Sequence, residues 1–233
     1  MLDVGSLLAR AADLVPGLLA PDRCWHCAAP ARPAEPVCGP CRAALPWLPR
    51  HGCPRCALPA PCAPGRCPGG GGPLDAAWAP LAYEGPARSL VLAGKRPAAR
   101  RLAPWFAAAM LARAPRAVIG DVRAVVPVPA DPRRRRDRGV DHAALIAASV
   151  AAGLGVPVAP VLRRRSGRPA QHGRNRASRL RLPPPSACGP VPATVLVVDD
   201  VHTTGATLRA AAVALRERGA TRVTALTALR ALA

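Results

Sequence analysis

Eight of the nine cysteines lie between positions 24 and 67, and this cluster constrains the fold more than any other feature of the 233-residue chain. The cysteines form four close pairs: Cys24-x2-Cys27, Cys38-x2-Cys41, Cys53-x2-Cys56 and Cys62-x4-Cys67. A two-residue gap lets both thiolates of a pair bind one tetrahedral ion, and two pairs complete a four-cysteine shell. The spacing therefore predicts two structural zinc ions.

The simplest pairing is sequential, with Cys24, Cys27, Cys38 and Cys41 in one shell and Cys53, Cys56, Cys62 and Cys67 in the other. An interleaved pairing remains open. His26 and His51 could replace a thiolate, although solvent-facing side chains are the simpler interpretation. Disulfides are the alternative to zinc, but the chain has no secretion signal and cytosolic thiols stay reduced. Four thiolates leave no open coordination position, so no catalytic zinc is expected.

The segment around these cysteines, residues 21–72, cannot build much of a core by itself. It is rich in Pro and Gly and has few large apolar side chains. A structural zinc contributes about 10–16 kcal/mol in small modules, which is comparable with the roughly 5–15 kcal/mol that stabilise a whole domain. We therefore predict an amphipathic helix over residues 1–20, a zinc module over residues 21–72 and a larger domain over residues 73–233.

Hydropathy and charge exclude several classes of protein. No run of about 18 uncharged apolar residues occurs, so no transmembrane helix is expected. Asp3, Arg10 and Asp13 interrupt the apolar N-terminal stretch, which lacks the basic start of a signal peptide and indicates a cytoplasmic protein. The net charge is +20, but Lys95 is the only lysine, and this arginine bias weakens charge as evidence of function. Four Trp, one Tyr and one Phe are too few for a surface that stacks on nucleic-acid bases.

Beyond residue 73, apolar strands alternate with helices. Strands are predicted over residues 78–83, 122–129, 156–162, 194–198 and 222–229. Helices are predicted over residues 88–92, 100–113, 143–154 and 205–218, the last with Leu208, Ala211, Ala212 and Leu215 on one face. Such alternation is typical of a mostly parallel sheet with helices on both faces, so the expected class is α/β.

Residues 195–207 place two acids and three threonines between a buried strand and a helix. Asp199 and Asp200 leave the carboxyl end of the strand, where open α/β sheets bind ligands. The loop that follows consists of Thr203, Thr204, Gly205, Ala206 and Thr207. Backbone N–H groups at a helix N-terminus bind a phosphate monoester, and the carboxylates can accept from ribose hydroxyls and hold Mg²⁺ through water. The alternative is a strand whose terminal acids cap the helix.

This segment resembles the phosphoribosyl-pyrophosphate (PRPP) motif of type I phosphoribosyltransferases, in which four apolar residues, two acids and a Thr/Gly loop follow one another. His202 stands where that motif more usually has an apolar residue. The resemblance implies that Asp199 and Asp200 bind the ribose and a magnesium ion, while the loop binds the 5′-phosphate. No G-x-x-x-x-G-K-[ST] motif occurs, so the loop is not that of a P-loop NTPase.

Together, the motif and the cysteines resemble the ComF family (ComF/GntX-type competence proteins), which joins a double zinc ribbon to a type I phosphoribosyltransferase domain. The likeness includes an R-x-x-x-R-G turn, which implies that Arg134 and Arg138 contact the pyrophosphate. After this turn the family usually has Gly-aromatic-Asn-Gln, whereas this chain has Gly139-Val140-Asp141-His142.

Four further features accompany this resemblance. The stretch from residue 162 through Gln171 to Arg179 is similar to the family's mobile loop, and Lys95 falls where the family often has a lysine. His142 is interpreted as an exposed residue at a helix N-terminus, with a catalytic base as the alternative. Cys188, alone in a Pro-rich segment, is interpreted as incidental.

Two functions of different classes follow. In the first, the protein binds Mg²⁺–PRPP, displaces pyrophosphate and transfers the phosphoribosyl group to a nitrogen nucleophile. In the second, it is a non-catalytic competence protein that binds single-stranded DNA or DNA-uptake proteins, with PRPP as a ligand or not at all. Arginine runs at residues 133–138 and 163–181 fit a pyrophosphate site, a DNA groove or a solvated face. A third interpretation is that the transferase domain is vestigial. The intact motif of residues 195–207 argues against it.

Overall fold

The structure, a computed structural model, describes residues 22–59, 62, 67, 72–132, 136, 139–164 and 184–232. Several sequence predictions fall outside these residues. They are the N-terminal helix over residues 1–20, the turn residues Arg134 and Arg138, and the stretch that contains Gln171, Arg176 and Arg179.

The described elements follow one another in this order. Helix α1 (Gly39–Ala43) lies in the cysteine-rich segment, and strands β1 (Ala76–Trp78) and β2 (Leu81–Ala82) follow it. Next come helix α2 (Gly85–Ala93), a 3-10 turn (Pro97–Ala99), and helices α3 (Leu102–Leu111) and α4 (Arg116–Ile119). Strand β3 (Ala124–Pro127), helix α5 (His142–Leu154) and strands β4 (Leu162–Arg163) and β5 (Ser186–Ala187) come next. The last are strand β6 (Thr194–His202), helix α6 (Ala206–Arg216) and strand β7 (Arg222–Arg230).

The central sheet is parallel throughout its described strands. Its order is β1–β7–β6–β3, and β2 pairs with β7 beyond β1. Strands β6 and β7 pair from Thr194 opposite Arg222 to His202 opposite Arg230. The carboxyl ends of the strands therefore meet at one edge, which is where the acids of β6 lie.

Helices cover both faces of this sheet, because successive side chains of a strand point to opposite sides. Leu196 and Val198 of β6 belong to a core that includes residues of α2, α3 and α5, whereas Val195 and Val197 belong to a second core that includes residues of α6. The predicted apolar face of α6 is fully buried in that second core. The predicted α/β class with helices on both faces is confirmed.

Prolines explain two strand predictions that were wrong. The strand predicted over residues 78–83 is divided at Pro80 into β1 and β2, which keep the same register on β7. The strand predicted over residues 156–162 is reduced to a single bridge between Val158 and Val125, followed by β4. Proline has no N–H to donate to a ladder, and Pro157 and Pro160 flank that bridge.

Strand β6 is longer than the five residues predicted for it. It continues to His202, so Asp199 and Asp200 lie inside the strand and not after it. The ladder to β7 holds both acids in extended backbone, which fixes the direction of each side chain.

The cysteine-rich segment packs directly against the first strands of the sheet. Cys24, Cys38 and Cys41 belong to the core that lies under α2 and α3. The N–H of Leu48 donates to the carbonyl of Pro80 at 2.8 Å, and the N–H of Ala77 donates to the carbonyl of Pro54 at 2.6 Å. None of the helices within the described ranges has the length and apolar character needed to cross a membrane.

Candidate functional site

The Thr/Gly loop (residues 203–207) joins the end of β6 to the start of α6. Gly205 has φ +74°, and a Cβ there would lie 2.7 Å from His202 Nε2, so the turn requires glycine. Thr204 Oγ1 accepts from the N–H of Ala206 at 3.3 Å, and the Thr204 carbonyl accepts from Arg209 at 2.9 Å. The first-turn N–H groups of a helix have no partners within the helix, so this end presents donors to an anion.

The threonine hydroxyls of the loop lie at different depths. Thr203 and Thr204 are exposed, and Thr207 is half-buried beside Asp199 and Asp200. The structure thus brings the loop and both acids together at the carboxyl edge of the sheet.

Asp200 lies between a lysine and a histidine from two other elements. Its Oδ2 lies 2.9 Å from Lys95 Nζ, just after α2, and 3.8 Å from Nδ1 of His142, the first residue of α5. Burial raises the pKa of Asp200, but His142 and Lys95 lower it by more. The pKa of Asp200 therefore lies below its usual value, and the carboxylate is ionised at neutral pH.

Asp199 has the opposite electrostatic character. Burial and then the charge of Asp200 raise the pKa of Asp199 well above its usual value. Its Oδ1 accepts from the N–H of Asp200 at 2.8 Å. Adjacent carboxyls with pKa values shifted in opposite directions are suited to different tasks, one as a lasting anion and the other as a group that can hold a proton.

His142 is buried, so the prediction that it is exposed at the helix N-terminus was wrong. Only 4% of its surface is accessible, because α5 packs its first turn against the end of α2. Gly94 contacts the imidazole so closely that a Cβ there would collide with Nε2, and the Phe106 ring stands edge-on at 6.0 Å. Neither ring nitrogen has a hydrogen-bond partner among the described residues. Its Nδ1 instead faces Asp200 Oδ2 at 3.8 Å, so the imidazole belongs to the group of side chains around Asp200.

These side chains line a cleft of about 220 Å³. The cleft is bordered by Lys95, Val128, Pro129, Ala130, Asp131, Val140, Asp141, His142, Ala143, Arg164, Asp199, Asp200 and Thr207. An adjoining cavity of about 570 Å³ is lined by Arg136, Arg163 and Arg164, with Gly139 also on its wall. Arg134 and Arg138 themselves lie outside the described residues.

The eight cysteines form two separate clusters that follow the sequential pairing. The first cluster is Cys24, Cys27, Cys38 and Cys41, and the second cluster is Cys53, Cys56, Cys62 and Cys67. Within each cluster all sulfur atoms lie within 4.8 Å of one another. His26 and His51 are exposed and belong to neither cluster.

The sulfur spacing fits a tetrahedral zinc ion. A Zn–S bond of about 2.3 Å implies sulfur atoms about 3.8 Å apart. The observed separations are 3.6 Å for Cys27–Cys38, 3.5 Å for Cys53–Cys67 and 3.5 Å for Cys56–Cys62. Burial raises the pKa of the Cys53 thiol, but backbone amides and neighbouring thiols lower it by more, to about 6. Both clusters could hold zinc.

Sequence analysis did not single out Arg230, which connects two of these features. It is 3% exposed, and its guanidinium donates to carbonyls of both the second cluster and the Thr/Gly loop. The available signal was a charged residue at the end of a mostly apolar strand.

Comparison with known proteins adds one finding. Residues 141–233 match the family model of the phosphoribosyl transferase domain. No curated protein matches the chain. The matched stretch contains α5, both acids and the Thr/Gly loop, and β1–β3 complete the same sheet from outside it. The chain therefore carries a phosphoribosyltransferase-type domain with a parallel central sheet, preceded by two four-cysteine clusters, and this domain supports a function of the phosphoribosyl-transfer type.

Proposed function

We propose that the protein binds Mg²⁺–PRPP in the cleft at the end of β6 and transfers its phosphoribosyl group to a nitrogen nucleophile. The observation that carries this proposal is the union of an ionised Asp200, a neighbouring Asp199 and a helix N-terminus on one edge of a domain that matches a phosphoribosyl transferase model. The proposed unit is residues 73–233, with residues 21–72 as a zinc-binding double ribbon.

Each part of the site has a proposed role. The Thr/Gly loop, from Thr203 to Thr207, binds the 5′-phosphate through backbone N–H groups and hydroxyls. Asp199 and Asp200 accept from the ribose hydroxyls. Arg134 and Arg138, on the turn after β3, stabilise the departing pyrophosphate, because guanidinium groups form strong paired bonds with phosphate oxygens.

Mg²⁺ suits this site, because hard carboxylate oxygens are its usual ligands and Asp200 stays ionised. When bound, the ion would neutralise charge on the pyrophosphate and make it a better leaving group. Lys95 Nζ lies 2.9 Å from Asp200 Oδ2 and compensates its charge. A magnesium ion held by Asp200 would take over this compensation, and the Lys95 ammonium would then be free to approach a phosphate.

In the proposed reaction the bond between C1 of the ribose and the pyrophosphate oxygen breaks, and its electron pair leaves with pyrophosphate. A bond from C1 to the nucleophilic nitrogen forms, and that nitrogen loses a proton. His142 lines the cleft with Nδ1 3.8 Å from Asp200 Oδ2, and we assign it that proton, because the carboxylate would stabilise the protonated imidazole. The positive charge that develops on the ribose in the transition state is stabilised by Asp200.

Calorimetric titration with PRPP, with and without Mg²⁺, tests the proposal. We expect metal-dependent binding that is lost in Asp200→Asn and weakened in Thr204→Val. Asp121→Asn and Thr221→Val are matched controls, because Asp121 is exposed and Thr221 bonds to Ala193 at the opposite end of the sheet. A zinc-loaded, folded protein that binds no PRPP would refute the proposal.

A second candidate is a non-catalytic competence protein that binds single-stranded DNA and DNA-uptake partners. It is supported by the cavity of about 570 Å³ lined by Arg136, Arg163 and Arg164. A groove with Z phosphate contacts gives a log–log salt slope of about −0.7Z. This candidate fails if the protein holds single-stranded DNA no better than an unrelated protein of equal charge at physiological salt.

A further inference from the structure

Arg230 joins the backbone of the second cluster to the backbone of the Thr/Gly loop. Its Nε donates to the carbonyl of Cys56 at 2.8 Å. Its Nη1 donates to the carbonyl of His202 at 3.0 Å and also to that of Thr203. One buried side chain therefore bonds to a predicted zinc ligand and to the first residue of a predicted phosphate loop.

The positive charge of Arg230 is compensated by backbone carbonyls. Among the described residues no carboxylate lies within ion-pair distance of its guanidinium. A buried guanidinium is costly unless its donors are satisfied, and hydrogen bonds from a charged donor are stronger than neutral ones. The planar guanidinium thus favours one fixed spacing between the Cys56 carbonyl and the carbonyls of His202 and Thr203.

The backbone of Arg230 is itself held firmly. It pairs with His202 across the β6–β7 ladder, and its carbonyl accepts from the N–H of Tyr83 at 2.8 Å. Cys56, His202 and Gly205 also border one small space of about 10 Å³. The second cluster and the loop are thus adjacent. Because Arg230 is rigidly held, a shift of the Cys56 carbonyl would change the hydrogen bonds that Arg230 makes to the loop.

We propose that Arg230 is a positioning residue through which zinc binding at the second cluster and phosphate binding at the Thr/Gly loop strengthen each other. The proposal rests on the proposed function for its phosphate ligand. A zinc shell fixes the backbone of the Cys53–Cys56 pair, and an open shell lets that backbone relax. Arg230 then loses its Cys56 partner, and the carbonyls of His202 and Thr203 lose their fixed donor. Coupling of this kind is reciprocal, so PRPP also tightens zinc at the second cluster.

The first cluster provides an internal comparison. Its cysteines pack into the core beneath α2 and α3. Within the described part of the chain, no hydrogen bond joins this cluster to residues 203–207. Opening the first shell should therefore disturb the loop much less than opening the second.

Hydrogen–deuterium exchange of the loop amides tests the coupling without any ligand. The zinc-loaded full chain is compared as wild type and as two variants. Cys62→Ser opens the shell of the second cluster, and Cys27→Ser opens the shell of the first. We expect loop exchange to rise at least about fivefold in Cys62→Ser, at the lower end of typical coupling between sites, and to stay near wild type in Cys27→Ser. Equal loop exchange in the two variants overturns the proposal.

Arg230→Lys tests the connecting side chain, because it keeps the charge and loses the planar fork. We expect fast loop exchange while the protein still binds its full complement of zinc, and no further increase when Cys62→Ser is added. A further increase in the double variant overturns the role of Arg230. If Arg230→Lys does not fold, the comparison of Cys62→Ser with Cys27→Ser decides alone.

PRPP titration separates this proposal from the proposed function. We expect the Kd for PRPP to rise about tenfold in Cys62→Ser. An unchanged Kd overturns the coupling and leaves the PRPP site standing. No PRPP binding by wild type refutes the proposed function, and the exchange experiment still decides whether the second cluster orders the loop.

Discussion

At the residue scale, two side chains at the end of β6 decide the shape of the Thr/Gly loop. His202 is buried beneath the loop, and Gly205 takes the left-handed turn that contacts it. A glycine at this position of the motif lets the backbone approach a ligand closely. The structure adds a second reason, because the glycine also leaves room for an imidazole that the motif does not usually contain.

Replacing Gly205 by alanine should disrupt the loop more than an equivalent change elsewhere. Gly205 and Gly189 have nearly the same φ, +74° and +73°, but only Gly205 has neighbours that a Cβ would strike. Left-handed backbone costs alanine about 1–2 kcal/mol at either site. We expect Gly205→Ala to lose about 2 kcal/mol more than Gly189→Ala in urea unfolding, because its Cβ overpacks against His202, and to weaken PRPP binding. Equal losses would contradict the contact with His202.

His202 should make the protein sensitive to mild acid. Burial, then Arg230 and Arg209, lower the pKa of His202 from 6.5 to about 4. Between these values the unfolded chain takes up a proton that the folded protein does not, so stability falls as the pH falls from about 6.5 to 4. His202→Leu should remove this dependence.

The measurement is urea unfolding of wild type and His202→Leu at pH 7 and pH 4.5. We expect wild type to lose about 2 kcal/mol relative to the variant between the two pH values. The difference between the proteins cancels the shared titration of carboxylates and thiolates. Parallel losses in both proteins would show that the imidazole is not held neutral.

At the element scale, the site forms where the end of α2, the start of α5 and the end of β6 converge. The sequence was sufficient to predict these helices and the central strands, because their apolar periodicity and flanking glycines are local signals. It was not sufficient to predict that His142 is buried, because that depends on Gly94, which lies far from it in the chain. The length of β6 also depended on a partner, since the pairing with β7 continues past both acids to His202.

Lys95→Met should loosen the junction between α2 and β6. Removing one partner of a fully buried ion pair costs several kcal/mol, but the side chains of Lys95 and Asp200 are 25% and 18% exposed, so solvent screens part of the loss. We expect a cost of about 1 kcal/mol in the free energy of unfolding. Lys95→Arg, which keeps the charge, serves as the control. An unchanged free energy of unfolding in Lys95→Met would mean that solvent fully screens the ion pair of Lys95 and Asp200.

At the scale of the whole molecule, two cysteine clusters and a phosphoribosyltransferase-type domain are packed against each other. Cysteine spacing alone predicted the clusters, because ligand geometry is a local property. The contact between Arg230 and Cys56 joins residues distant in sequence, so no local pattern could reveal it. The contact of Arg134 and Arg138 with the pyrophosphate stays a prediction.

Zinc should be required for the cysteine-rich segment to keep its fold. Elemental analysis should find two zinc ions per chain, and Cys27→Ser and Cys62→Ser should each lower that number. Because a structural zinc contributes about 10–16 kcal/mol, strong chelation should unfold this segment and expose Trp25, which packs partly buried against the core. A change in tryptophan fluorescence would detect this exposure. A protein that folds identically without metal would contradict two structural zinc sites.

The central claim is that the Thr/Gly loop and the acids of β6 form a PRPP site. Backbone amide NMR during titration with Mg²⁺–PRPP tests it most directly, because each amide reports its own position. The account predicts saturable shifts at Gly205, Thr207 and Asp200, with Ala193 at the opposite edge of the sheet unchanged. Shifts confined to Arg163 and Arg164, or no shifts in the folded zinc-loaded protein, would contradict it.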